Sequence, residues 1–205
     1  YSFWLSGNKM SDRRKRSVEM LGQIGLEFHF ITEENLSEYI KEPLHEGYQY
    51  LSLCHKADYL RCYFMHFFGG GYADVKPPTG MWSESLEELN SSDKWLSGFI
   101  HHAVRRQSLH RVMPEEFGHR IGEQGFIFKP NTPFTREWYE TITKLMDEKT
   151  DKLKKTSDGI DKYGNDTDYP FRICELLLEV LYPITKKYRE KILMNLPPLD
   201  CDIYL

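Results

Sequence analysis

The chain is short of cysteine, of net charge and of long apolar runs, and each shortage removes a class of protein. Its four cysteines, Cys54, Cys62, Cys174 and Cys201, show no CxxC spacing, so neither a disulfide scaffold nor a zinc ribbon is expected. Their apolar or helical surroundings read as reduced thiols, which fits a reducing compartment and a soluble, cytoplasmic domain. The longest apolar run, near Phe126, is far shorter than the ~20 residues that a membrane helix needs, and no signal-type stretch occurs. An anchor, if there is one, lies outside this segment. Lysine and arginine number 27 against 31 acidic residues, a net charge of -4, so the global balance offers nothing to nucleic acid or to an anionic membrane. The basic run Arg13 to Arg16 reads as a solvated helix face, because Asp12 and Glu19 flank it, with one of its arginines left to reach a bound ligand. The histidines form no HExxH motif, and the adjacent His101 and His102 would point to opposite faces of a strand, so no structural zinc is expected.

What is there suffices for one core: 205 residues, 40% hydrophobic and 14% aromatic, are read as a single domain over 1–205. Tyr1 to Leu5 reads as a strand, and Ser11 caps a helix that runs to about Leu21 and stops at Gly22 and Gly25. Leu26 to Ile31 alternates as a second strand does. This strand, helix, strand order predicts an α/β fold with a central, mostly parallel sheet flanked by helices. Lys56 to Phe68 has helical spacing and ends at Gly69, Gly70 and Gly71, before a strand over Tyr72 to Val75. Trp95 to Ile100 and Gly125 to Phe128 read as further strands. Thr132 caps a helix opened by Pro133. Thr150 to Asp168 reads as a mobile loop, and a last helix over Ile173 to Leu181 is expected to end before Pro183.

The chemistry concentrates in His55 to Pro78. Asp58 and Arg61, three apart on a helix, share a face, and Met65 continues that stripe. Asp74 and Lys76, two apart on a strand, share another. Two carboxylates and two cations are thereby brought to the carboxyl end of a strand, where α/β sheets bind ligands. Such a set suits a leaving group that gains negative charge, because a carboxylate-held divalent cation, or Lys and Arg, can neutralise that charge. The glycines let the backbone approach a ligand closely.

The run ADYLRCYFMHFFGGGYADVK resembles the sugar-binding signature of glycosyltransferase family 32 and its relatives, which include capsular-polysaccharide enzymes and glucosylating bacterial toxins. There an acidic residue, an Arg, an aromatic and aliphatic helix, Gly-Gly and Tyr lead to an Asp-x-Asp. The resemblance implies a GT-A-like (Rossmann-like) fold and transfer, with retention, of a hexose from a nucleoside diphosphate sugar, UDP-linked, to a glycan or glycoprotein hydroxyl. It places Asp58 and Arg61 on the donor sugar and its diphosphate, and Asp74 on the first Asp, where it would bind Mn²⁺ or Mg²⁺. Lys76 stands in place of the second Asp and is the main departure. It is expected to turn from the ion toward the diphosphate or Asp58.

Phe3-Trp4-Leu5-Ser6-Gly7 is similar to the family's first strand, which implies that Trp4 stacks on uracil and that the backbone beside it, at Ser6, meets the base edge. Glu123-Gln124-Gly125-Phe126 resembles a later strand facing donor and acceptor, with Gln124 as the candidate. Asp200-Cys201-Asp202 would add a carboxylate from the tail. The look of the chain points to a bacterial or large-DNA-virus member. The rival reading is a non-catalytic nucleotide-sugar or carbohydrate binding module of the same fold, and Lys76 at the metal-ligand position supports it.

Overall fold

A computed structural model describes residues 1–99, 121–156, 163–164 and 168–200. Its first half alternates β1 (Ser2–Trp4), α1 (Asp12–Leu21), β2 (Phe30–Thr32), α2 (Leu53–Phe67) and β3 (Gly70–Ala73). Next come α3 (Ser83–Ser91), β4 (Leu96–Ser97), β5 (Gly125–Phe128), α4 (Pro133–Thr156), α5 (Leu178–Lys187) and β6 (Ile192–Leu193). Ser11 caps α1, as its hydroxyl was expected to do, by accepting from the Arg14 amide. Ser52 caps α2 through the His55 amide, so that helix begins a turn earlier than its apolar spacing alone predicts.

The architecture is mixed α/β, and the expected mostly parallel sheet is corrected. β1 and β2 pair in parallel. The larger sheet has the order β3-β5-β4-β6, with β5 antiparallel to both β3 and β4 and only β4 and β6 parallel. Backbone hydrogen bonds join the two groups: the Ala73 amide donates to the Tyr1 carbonyl at 2.9 Å, and the Ser2 hydroxyl donates to the Ala73 carbonyl at 2.6 Å. Reversal of β5 explains the mixture. It pairs antiparallel with both of its neighbours, β3 and β4, and so divides the sheet.

Strand alternation sorts side chains onto two cores. Tyr72, Phe126 and Phe128 pack with Leu60, Phe64, Phe134, Trp138 and Ile142 of α2 and α4. Ala73 and Ile127, on the opposite face, pack with Leu21, Trp82 and Leu89 of α1, α3 and the chain before α3. Met65, expected to extend the functional stripe, is fully buried in the first core.

Further expectations change. Residues 150–156 continue α4 rather than opening a loop, because Thr150 and Leu153 are buried and keep the helix anchored. The rest of that expected loop is described only at 163–164 and 168. The last helix starts at Leu178 and passes through Pro183. The proline removes a single intrahelical bond, and burial of Val180, Leu181 and Ile184 offsets it. Of the strand expected over Trp95 to Ile100, Leu96–Ser97 pairs, and Ile100 lies outside the described residues, as do His101, His102, Cys201 and Asp202. Cys54 and Cys62 carry free thiols. Among the described residues no helix is long and apolar enough to cross a membrane.

His55, at the start of α2, fastens the last third of the chain to that helix. Fully buried, it meets the Ser52 hydroxyl at 2.9 Å, the Tyr169 hydroxyl at 2.9 Å and the Arg172 carbonyl at 3.0 Å. Burial lowers its affinity for a proton below the ordinary imidazole value of 6.5, against the Arg172 carbonyl and Glu175, which favour the charged form. The unfolded chain therefore takes up this proton first as pH falls. Stability from His55 is fully present above pH 6.5 and is lost as pH falls through the lower native value. Thermal melts across this window should show the loss, and His55→Asn should flatten that part of the profile.

Candidate active site

The sheet order brings remote segments to one edge. β1 and β3 run the same way, so their carboxyl ends leave the sheet on the same side, and antiparallel β5 begins there. Trp4 ends β1, Asp74 follows β3 and Gln124 precedes β5. The Asp74 amide donates to the Gln124 carbonyl at 2.7 Å, which puts the buried Gln124 beside the charged residues.

Helix α2 delivers the rest. The chain reverses between α2 and β3 at Gly69 and Gly70, whose φ angles of 67° and 78° lie in the left-handed region that suits glycine. A Cβ on Gly69 would also stand 2.6 Å from Pro130 Cδ. This tight reversal folds α2 back along β3 and sets Asp58 and Arg61, in the first part of the helix, level with Asp74 at the far end of the strand.

The guanidinium of Arg61 bridges both carboxylates, with one NH₂ 3.1 Å from Asp58 Oδ1 and the other 3.0 Å from Asp74 Oδ1. Lys76 Nζ lies 2.7 Å from Asp74 Oδ2. The Tyr72 hydroxyl donates to Asp74 Oδ1 at 2.7 Å, and the Arg61 guanidinium carbon lies 4.5 Å from the centre of the Tyr72 ring. Tyr72 is therefore part of the site. Its place in the sequence, two residues before Asp74 and so on the same strand face, was the available signal.

Asp58, Lys76 and Tyr72 are buried, whereas Asp74 keeps a fifth of its side chain exposed. Burial alone would raise Asp74, but the charges of Arg61 and Lys76 and the hydrogen bonds from Lys76 and Tyr72 hold it below the ordinary carboxylate value. Burial pushes Asp58 up to about 7, against Arg61, while Asp74 and Glu123 push it further. Burial would lower Arg61, but Tyr72, Asp74 and Asp58 together raise it. Near neutral pH Arg61 is thus held as a cation and Asp74 as an anion, while the Asp58 carboxyl is near its midpoint. Glu123, singled out in sequence only as a neighbour of Gln124, belongs to this electrostatic surrounding, and its Oε2 is buried without a hydrogen bond. So is Arg61 Nε.

Beside these charges opens a cleft of about 460 Å³ lined by Trp4, Ser6, Asn8, Arg14, Cys54 and Tyr163 among others. It meets the charged set where Cys54 and Ala57, half-buried on α2, precede Asp58. Burial, Asp58 and Asp74 push the Cys54 thiol up to about 12, against Arg61, so it lines the cleft as a neutral group. Trp4 is half-buried, and its indole N–H donates to the Asn8 carbonyl at 3.2 Å. Arg14, from the basic helix face, lies 5.9 Å from the Trp4 ring centre and donates to the Val75 carbonyl at 2.9 Å. One member of the run read as a solvated face therefore reaches the site. The Asp200 amide donates to the Pro77 carbonyl at 2.8 Å, one residue beyond Lys76.

A divalent cation on Asp74 does not fit these residues. Both Asp74 oxygens already accept from Arg61, Tyr72 and Lys76, and Lys76 has turned onto Asp74 rather than away from it. Among the described residues no group of three or more His, Cys, Asp or Glu is placed to hold an ion.

A scan against protein-family models finds no match, and a search of curated proteins finds none either. Among solved structures the chain is similar to one described as "PaToxG Glycosyltransferase", with a TM-score of 0.43 and 9% identity over 93% of this chain and 75% of that one.

Proposed function

We propose that this chain is a glycosyltransferase that moves a hexose from a nucleoside diphosphate sugar, UDP-linked, to a hydroxyl of a glycan or glycoprotein with retention of configuration. The observation that carries the reading is the meeting of Asp58, Arg61, Asp74 and Lys76 at one sheet edge, beside a cleft that contains the Trp4 ring. The resemblance of residues 52–78 to the family 32 signature adds the substrate class.

The base and ribose would lie in the cleft against Trp4, near Ser6 and Arg14. The diphosphate would face Arg61 and Lys76, and Asp58 and Gln124 would hold sugar hydroxyls. In the transfer the bond from the sugar's anomeric carbon to the diphosphate oxygen breaks, and its electron pair leaves with the diphosphate. The acceptor oxygen bonds to that carbon from the same face, and its proton passes to the departing phosphate oxygen. The protein's part is to place cations where negative charge grows and to fix both partners in reacting geometry.

The test is to incubate the chain with UDP-glucose and an oligosaccharide acceptor and to measure UDP release and glycosylated product. Release that disappears with Asp74→Asn supports the reading. UDP-glucose binding without any release, seen by calorimetry, supports a binding module instead. The pairing of Lys76 with Asp74 is the observation on that module's side, since it quenches the carboxylate that a metal-dependent transferase needs.

A further inference from the structure

The disagreement between the charged set and a metal site has a positive meaning. A divalent cation needs carboxylate lone pairs. Here Asp74 has given both oxygens to Lys76, Arg61 and Tyr72, and Asp58 has given one to Arg61. An ion entering would have to displace an ammonium at 2.7 Å and remain beside a guanidinium, and like charges at that range repel strongly inside a protein.

A diphosphate has the opposite requirement. It brings acceptor oxygens and negative charge, so it needs donors and cations of the kind gathered here. Arg61 is held on two carboxylates and is a fixed part of the site. Lys76 is a point charge on a flexible stem, and its departure leaves Asp74 with Arg61 and Tyr72 on Oδ1. Lys76 is therefore the member of the set able to turn from Asp74 to a phosphate as the ligand arrives.

We infer that Lys76, together with Arg61, takes the place of the divalent cation, so that this site binds a nucleoside diphosphate without metal. The inference rests on the nucleotide-sugar reading above. Asp74 then serves as the resting counter-ion of Lys76, keeping a buried ammonium neutralised until the phosphates replace it.

Calorimetry of UDP and uridine binding to the 205-residue chain, in EDTA and with Mn²⁺, tests this. UDP affinity in EDTA should lie within about twofold of that with Mn²⁺. Lys76→Met should weaken UDP by about tenfold or more, the worth of a charge-assisted hydrogen bond, and leave uridine unchanged; uridine binding also shows that the variant is folded. Lys76→Asp should make UDP binding depend on Mn²⁺. UDP binding by the unmodified chain only when Mn²⁺ is present would overturn the inference while leaving the nucleotide-sugar reading in place, and that comparison needs no variant to fold. Lys76→Met binding UDP as tightly as the unmodified chain would overturn it too. Absence of UDP and uridine binding under both conditions would overturn the nucleotide-sugar reading itself, and the inference with it.

Discussion

Replacing Asp74 with alanine is expected to abolish UDP release and also to destabilise the chain by about 3–5 kcal/mol, the cost of breaking a buried ion pair by removing one partner. The second effect follows from the geometry. Asp74 accepts from Arg61, Tyr72 and Lys76, so its removal leaves two buried cations facing each other across an empty site. Position 74 is therefore structural as well as functional, and alanine alone would confuse the two roles. Asp74→Asn separates them. Its carbonyl can still accept from Arg61 and Tyr72, but its NH₂ would point at the Lys76 ammonium, donor against donor. Urea unfolding should place this variant between the unmodified chain and the alanine variant, with UDP release still lost. An alanine variant that keeps both its unfolding midpoint and its UDP release would show that the charged set is not the site.

Arg61→Ala is expected to lower UDP affinity by about tenfold or more and to leave uridine affinity nearly unchanged, because on the proposed reading the guanidinium would face the phosphates, and it does not line the cleft that would hold the base. It too should cost several kcal/mol of stability, on the order of 3–5, since Asp58 is only 3% exposed and would lose its cation. Arg61→Lys should not restore the site. One ammonium cannot span Asp58 Oδ1 and Asp74 Oδ1 with separate nitrogens, as the planar guanidinium does at 3.1 and 3.0 Å. Equal losses for UDP and uridine in Arg61→Ala, measured by calorimetry, would mean that Arg61 only supports the fold.

The charged set was legible because its members sit within 19 residues of one another, at spacings that helix and strand geometry convert directly into shared faces. Asp58 and Arg61 are one helical turn apart, whereas Asp74 and Lys76, expected two apart on one strand, lie just past the end of β3, where the Lys76 amide donates to the Asp74 carbonyl. Gly69 and Gly70 mark the reversal that brings the pairs together. Gln124 reached the same place by resemblance alone, since no local spacing relates it to Asp74. Tyr72 was visible as part of the signature but not as a ligand of Asp74, because an aromatic residue on a strand reads first as core. Arg14 was hidden for the converse reason: in a run of four basic residues nothing local says which of them turns inward to the Val75 carbonyl.

By itself, the sequence determined not α3 or β6 but the helices around Asp12–Leu21 and Leu53–Phe67, the Ser11 cap, the core strand at Gly125–Phe128 and the glycine reversal before β3. These depend on contacts within a few residues, and local periodicity encodes them. Only the tertiary structure decided that β5 runs antiparallel and so delivers Gln124 to the edge where β1 and β3 end. It also decided that α4 persists to Thr156 on its buried Leu153, and that Lys76 pairs with Asp74. Strand direction, burial and the choice among ion-pair partners depend on residues brought together from across the chain. For Lys76 that choice is electrostatic: once buried, an ammonium takes the nearest carboxylate, and the site that spacing suggested for a metal already holds a cation of its own.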